Sequence, residues 1–516
     1  MDRPPMMLLA PALLAAASLL SPLVPAQDRF AAIADGASVV PPTASPATAE
    51  IDFSLDPATQ QAFYRIVHNV PGAIGAEVRQ AFPGANGPVA IALAPAGPFE
   101  FRGVTPPMSP ADRLLLFQGG FYVNIRSAAA PAGEIRGQLA KYVHRDFACD
   151  LNQANVVPPS GSPATGVAHF TLHEPENRLT YQVQVSGLLS PPTGAQLRFA
   201  PPGANGPVVV DLGAPLPATA AWAGYSPALT PPQVAALKAG NFYVSVDSIL
   251  SPAGAVRGQL TGAKQSFSLR ANGSQVVPPN LSPNQGRGGL IFDPATAELA
   301  YSIDWNGING TGAILQIGYP GQPGGVLLPL AGPPNGPWIG STPPLATATV
   351  DLLYRQGLNI EILSMAVPTG ELRGSVRLNH DHYGYSGATL PAPMAGDRRL
   401  KISSEGIPSL GAPFTVELYG GMPGAAATLA YCEDLIGTPL DLLPFGVPSH
   451  VLWGNALGGY PAPPVNLHGA TELNFTLPVM AALIGQDFYL QWFSVEPGAN
   501  PLGLVTSDAI EVVLVP

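Results

Sequence analysis

Apolar and polar positions alternate along much of this chain with a period of two. In Leu179-Thr-Tyr-Gln-Val-Gln-Val185 every second side chain is apolar, and Leu299-Ala-Tyr-Ser-Ile-Asp-Trp305 repeats the pattern. Successive side chains of a strand point to opposite faces, so this alternation predicts strands with one buried and one wet face. Ala62 to Val70 reads similarly, with Tyr64 and Ile66 on one face and Arg65 opposing them. Asp56-Pro-Ala-Thr59 and Asp293-Pro-Ala-Thr296 lie between such runs, and Asp followed by Pro predicts hairpin turns. Helical signals are short. Thr230-Pro-Pro-Gln233 is a capping box with Pro at the first helical position, predicting a helix over Val234 to Lys238 that stops at Gly240. Ser109-Pro-Ala-Asp112 before Arg113 to Phe117 and Gly119 predicts another, handing over to a strand at Phe121 to Ile125.

The same markers return along the chain. Phe30 to Pro42 recurs as Phe147 to Pro159 and Phe267 to Pro279. Pro83-Gly-Ala-Asn-Gly-Pro-Val89 recurs as Pro202 to Val208 and, loosely, as Pro320 to Val326. Gly133-Glu-Ile-Arg-Gly-Gln-Leu139 recurs as Gly254 to Leu260 and Gly370 to Val376. The spacing of roughly 120 residues is that of a whole domain. The expected organisation is a signal peptide over 1–27, repeats over 28–142, 143–263 and 264–379 (the last divergent), a linker over 380–397 and a different β domain over 398–516. One short helix per repeat is expected. The fold class is therefore all-β: three tandem sandwiches and a C-terminal sandwich-like domain.

Composition sharpens this. With 57 Gly and 61 Pro among 516 residues, long helices are excluded, while 46% hydrophobic and 11% charged residues exclude a disordered chain. The net charge of −11 comes with basic residues scattered singly, so no stripe exists to neutralise phosphates and nucleic acid is not an expected partner. Arg3, the apolar run Met6 to Leu23 and Val24-Pro-Ala26 have the form of a cleavable leader, with cutting near Gln27. A membrane anchor is the competing reading, weakened by Pro11 and Pro22, and no membrane span is expected in the mature chain. The expected location is secreted, extracellular or at the cell surface. Cys149 and Cys432 fall in different expected domains, so they read as buried thiols in preference to a bridge.

Val39-Val-Pro-Pro42, Gly119-Gly-Phe-Tyr-Val-Asn-Ile125 and Pro131-Ala-Gly-Glu-Ile-Arg-Gly-Gln-Leu139 resemble the CHRD domain, the module repeated in the extracellular protein chordin. The second repeat keeps Gly240-Asn-Phe-Tyr-Val244 and Pro252 to Gly258; the third keeps Pro368 to Gly374 but loses the Tyr-Val strand. The resemblance implies an immunoglobulin-like sandwich with an extracellular binding role. Where family members often carry paired His, this chain has Ala76-Glu-Val-Arg79, Ala195-Gln-Leu-Arg198 and Ala313-Ile-Leu-Gln316, then Ile125-Arg-Ser127, Val246-Asp-Ser248 and Ile362-Leu-Ser364. A metal role at those positions falls away. Ile484 to Trp492 with Pro497 to Pro501 resembles a C-terminal module common on exported bacterial proteins.

Candidate chemistry is sparse. Arg136, Arg257 and Arg373 recur in all three copies and read as structural, bonding backbone carbonyls, with a ligand-binding Arg as the alternative. Glu134, on the same strand face as Arg136, is expected to pair with it, although Ala255 replaces it in the second copy. Calcium at Asp56 or Asp293 lacks flanking oxygen ligands. His380, Asp381 and His382 form a close group, as do His169 and His173, but the linker reads as a solvated tether. Tyr489, Trp492 and Phe493 read as core in preference to a sugar platform. No catalytic, cofactor or metal site is therefore assigned, and the chain reads as no enzyme. The expectation is a binding or structural module for an extracellular protein or surface glycan. The alternatives are a metal enzyme resembling superoxide dismutase, disfavoured by dispersed His, and a carbohydrate-binding protein.

Overall fold

The computed structural model describes residues 7–8, 28–216, 220–332, 337–379, 382–383, 401–405, 413–419, 424–441, 451–465, 471–476, 487–495 and 504–513. The first unit is one antiparallel sheet. Its strands run, side by side, Val89–Leu93, Ala73–Gln80, Phe121–Ser127, Ile135–Gln138, Asp28–Asp35, Thr48–Leu55, Ala62–His68 and Glu100–Val104, with Pro95–Gly97 beyond. Alternation puts Phe30, Ile51, Tyr64, Ile66, Val123 and Ile125 inward, and the sheet folds over on them, half of its strands on each side. The second and third units repeat this order around cores of their own, which include Phe170, Trp222 and Val244, and Phe267, Ile303 and Ile360. The cores are separate; Val143 and Tyr319 alone among their members reach into a neighbouring unit.

The first and last strands of each unit are neighbours, and a glycine lets them cross. A Cβ on Gly137 would lie 2.7 Å from Ile51 Cδ1; one on Gly258 would meet Asp150 O at 2.5 Å; one on Gly374 would press on Arg270 O. This is the physical content of the repeated Arg-Gly. A second close fit recurs on the other side: Tyr64 pairs in register with Gly103, Tyr181 with Gly224 and Tyr301 with Gly340, each ring hydroxyl occupying the space a side chain there would need.

The expected helices form at Pro110–Phe117 and Pro231–Lys238, and a third at Thr347–Tyr354. Ser109 Oγ accepts from Asp112 N at 3.1 Å, and Gln233 Oε1 accepts from Thr230 N at 2.8 Å. Asp56 closes its turn by accepting from Ala58 N and Thr59 Oγ1, both at 2.8 Å. One expectation needs correcting. The third unit lacks the Tyr-Val motif but not the strand, because Leu358–Ser364 keeps Leu358, Ile360 and Ile362 fully buried in alternation.

The C-terminal region is a second kind of β structure. Thr471–Thr476, Pro413–Tyr419 and Lys401–Glu405 form one sheet, whose edge also takes Met7–Leu8 in parallel. His382–Tyr383, Leu504–Val513, Asp487–Val495, Ala426–Asp441 and Val451–Pro461 form the other. Trp492 lies between them, fully buried, its Nε1 donating to Glu417 O at 3.0 Å. Tyr489 is also buried, but on the opposite face of its strand, and Phe493 is half-buried.

Candidate functional site

The three repeated motifs meet at one corner of each unit. Arg136 lays its guanidinium 3.6 Å over the Tyr122 ring and donates to Ala85 O at 2.8 Å and Phe82 O at 3.3 Å. Asn86 Nδ2 in the same loop donates to Val40 O at 2.7 Å, tying the Pro-Gly-Ala-Asn loop to the Val-Val-Pro-Pro segment. In the second unit Arg257 stacks on Tyr243 at 3.6 Å and donates to Asn205 Oδ1 at 3.2 Å, while Asn205 Nδ2 donates to Val157 O at 2.6 Å. Arg136 and Arg257 are thus clamps on the loop, Arg136 through the backbone carbonyls expected of it and Arg257 through the side chains of Asn205 and Gln259 instead. Glu134 is not their counter-ion: its Oε1 accepts from Ser45 Oγ at 2.8 Å, because the chain turns at Gly133 and aims it at the opposite loop.

The third unit departs here. Asn359 stands where Tyr122 and Tyr243 stand, and Pro323 replaces the loop Asn. Arg373 is only 2% exposed, yet its Nε and Nη2 have no hydrogen-bond acceptor. Burial lowers its pKa, with the Glu361 charge acting in the opposite direction. The missing Tyr of the sequence was the signal for this difference.

Beside the clamp, the strand positions over Ala76–Arg79 and Ile125–Ser127 and their counterparts carry different chemistry in each copy. Glu77 accepts from Arg79 Nε at 2.6 Å and lies 3.7 Å from Arg126 Nε, an ion triplet. The second unit has Gln196, Arg198 and Asp247, whose carboxyl is pushed up by burial. The third has Ile314, Gln316 and Leu363.

A buried charge network, not foreseen from sequence, joins the units. Arg29 pairs with Asp52 at 2.6 Å within the first unit and lies 3.8 Å from Glu176 of the second. Asp28 of the first lies 3.2 Å from Arg377 of the third and 3.7 Å from Lys141. Arg145 of the second pairs with Glu174 at 2.9 Å and with Asp351 of the third at 2.7 Å, over the Tyr354 ring. Glu174 also takes Lys238 at 2.8 Å and Arg355 at 3.9 Å. Burial would raise the Glu174 pKa, but Arg145 and Lys238 outweigh it and hold the carboxyl below its usual range. Tyr319 of the third unit rests on Phe117 of the first, 5.9 Å between centroids. The three units therefore touch pairwise, first to second, second to third and third to first.

The remaining candidates separate. His173 is buried, its Nδ1 2.9 Å from Tyr142 Oη and its Nε2 3.1 Å from Thr180 Oγ1, so it is spent on the junction and not on a pair with His169. Cys149 is a free thiol pushed up to about 12, first by burial and then by Asp150, and it is not bridged to Cys432. His380 and Asp381 lie outside the described residues. Among the described residues, no group of three or more His, Cys, Asp or Glu is arranged to hold a metal.

The CHRD domain matches residues 30–139, 147–260 and 267–376, more than half of the chain. No curated protein matches. Among solved structures, the tetra-tandem repeat in the extending region of a large adhesion protein is 9% identical, covering 88% of this chain and 96% of that one at a TM-score of 0.14. Trypsin-activated alpha-2-macroglobulin from Escherichia coli is 9% identical, covering 89% of this chain and 41% of that one at 0.16. Likenesses this slight say nothing further about the molecule.

Proposed function

The chain belongs to the CHRD-domain family, and from that membership we propose a secreted, non-enzymatic protein that acts outside the cell as a binding or structural module. One observation carries the reading. Three copies keep the same frame, down to the crossing glycine and the Tyr–Gly pair, while the positions beside the clamp, buried at Glu77 and Gln316 and half-buried elsewhere, change from Glu-Arg-Arg to Gln-Arg-Asp to Ile-Gln-Leu. A reaction centre fixes its reacting groups. A set of binding faces varies them on a fixed scaffold. The apolar run before Gln27 supports export, and the partner class that fits is an extracellular protein or a surface glycan.

Expression of the full chain in a bacterial host, followed by fractionation and N-terminal sequencing of the exported form, tests the location. A mature N-terminus near residue 27 outside the cytoplasm is expected; an uncleaved cytoplasmic chain counts against the proposal. Metal analysis of the exported protein tests its non-enzymatic part. Stoichiometric copper or zinc would revive the metal-enzyme reading.

A further inference from the structure

The second unit ends in a tip where three uncharged loops carry an excess of exposed aliphatic surface. Three of its segments, residues 156–165, 185–195 and 248–256, contain no Asp, Glu, Lys or Arg; Asp211, whose Oδ1 accepts from Gly213 N at 2.9 Å, stands at their edge. Ser160 Oγ donates to Ala255 O at 2.7 Å, joining the first segment to the third. Ile249 N donates to Pro191 O at 3.1 Å and Leu250 N to Ser190 Oγ at 3.0 Å, joining the third to the second. On this tied platform Leu189, Ile249 and Leu250 are 73%, 62% and 69% exposed. A tip of three large aliphatics held out to water on a built framework marks an interaction site.

We propose that this tip inserts into the surface of a lipid bilayer with net-neutral headgroups. Two features favour a bilayer over a protein groove. The tip residues' backbone donors at Ile249 and Leu250 are already satisfied inside the protein, which insertion into an apolar layer demands. The absence of charge from the three loops that carry Leu189, Ile249 and Leu250 removes the cost of dehydrating ions beside them. Attraction by anionic lipid has no basic residue at the tip to act on, and the whole chain carries −11. The same end of the third unit exposes Leu281 and Met365, and that of the first exposes Ile74, so the feature is repeated in weaker form. This deepens the extracellular reading by naming a surface for it, but the binding test below runs on purified protein and does not depend on export.

The full chain is mixed with phosphatidylcholine vesicles and sedimented, alongside L189S/I249S/L250S and a Leu250→Trp reporter. Wild type is expected to sediment with the vesicles equally in low and high salt, and less with anionic vesicles. The triple variant, whose altered side chains lie in solvent, is expected to keep its melting temperature and lose binding about tenfold or more. Leu250→Trp is expected to shift its emission to the blue on mixing and to be quenched by brominated lipid. Wild type that stays in the supernatant, a triple variant that still binds, or a reporter that stays in water overturns the proposal. So does vesicle-independent self-association abolished by the triple substitution, which assigns the tip to a second copy.

Discussion

Tyr64 stands directly across the sheet from Gly103, and its hydroxyl, which accepts from Ala94 N at 2.8 Å, fills the place of the missing side chain. A Cβ on Gly103 would lie 2.7 Å from that oxygen. Gly103→Ala should therefore destabilise the first unit by about 1–3 kcal/mol, the cost of forcing volume into a packed site. Gly97→Ala, with open space around it, should be near neutral. Tyr64→Phe in the Gly103→Ala background should recover part of the loss, and urea midpoints of the four proteins give the coupling.

The crossing glycines should differ in their tolerance. A Cβ on Gly137 meets side chains, Ile51, Ala32 and Ala34, whereas one on Gly374 meets the backbone of Arg270. Side chains yield and backbone does not, so Gly374→Ala should cost more than Gly137→Ala. Thermal melts of the two variants decide it; equal losses would mean that the crossing is looser than its geometry indicates.

His68 gives the first unit a pH dependence. Its ring is buried against Phe101, its Nδ1 accepts from Val70 N at 3.2 Å, and burial lowers its pKa from 6.5 to about 4. The unfolded chain takes up the proton first, so this contribution is complete above pH 6.5 and drains away as the pH falls towards 4. The loss should approach about 3 kcal/mol. Imidazole NMR titration with a midpoint near 6.5 in the folded protein would refute it.

The junction responds in a lower window. Glu174 is held below its usual range by Arg145 and Lys238, so its contribution is present above the ordinary carboxylate value and is lost as the pH falls through the depressed one. Glu174→Gln leaves buried Arg145 to the half-exposed Asp351 and should cost about 3 kcal/mol at neutral pH while flattening the acid limb. Asp351→Asn, at a half-exposed partner, should cost far less. Urea titrations at neutral and acid pH separate the two.

Cys149 should be inert. With its thiol pushed up to about 12, little thiolate exists at pH 8, and a disulfide-exchange reagent should label it only after denaturation. Rapid labelling of the native protein would contradict its burial.

What was legible in the sequence was local. The Thr230 capping box and the Asp56 turn each depend on residues a few positions apart, and both form as the sequence implies. The pairing of Tyr64 with Gly103 depends on a register between strands far apart in the chain, which alternation alone does not set. Glu134 was misjudged for a related reason: sharing a strand face does not fix a partner when Ser45 arrives from another loop. The junction was invisible. Arg29, Glu174 and Asp351 look like ordinary scattered charges, and only the packing of whole units draws them into one network, burying Arg29 and Glu174.

Because first and last strands lie side by side, Tyr142 N reaches Arg29 O, Ala263 N reaches Asp146 O and Asn379 N reaches Ser266 O, each within 2.9 Å. The thread thus leaves every unit next to where it came in. A gene segment encoding one unit can be copied or excised in register with little strain on what remains, since the cut ends already sit together. The limit on such growth is set elsewhere, by whether an added unit can find a place around ionic contacts that already close on three.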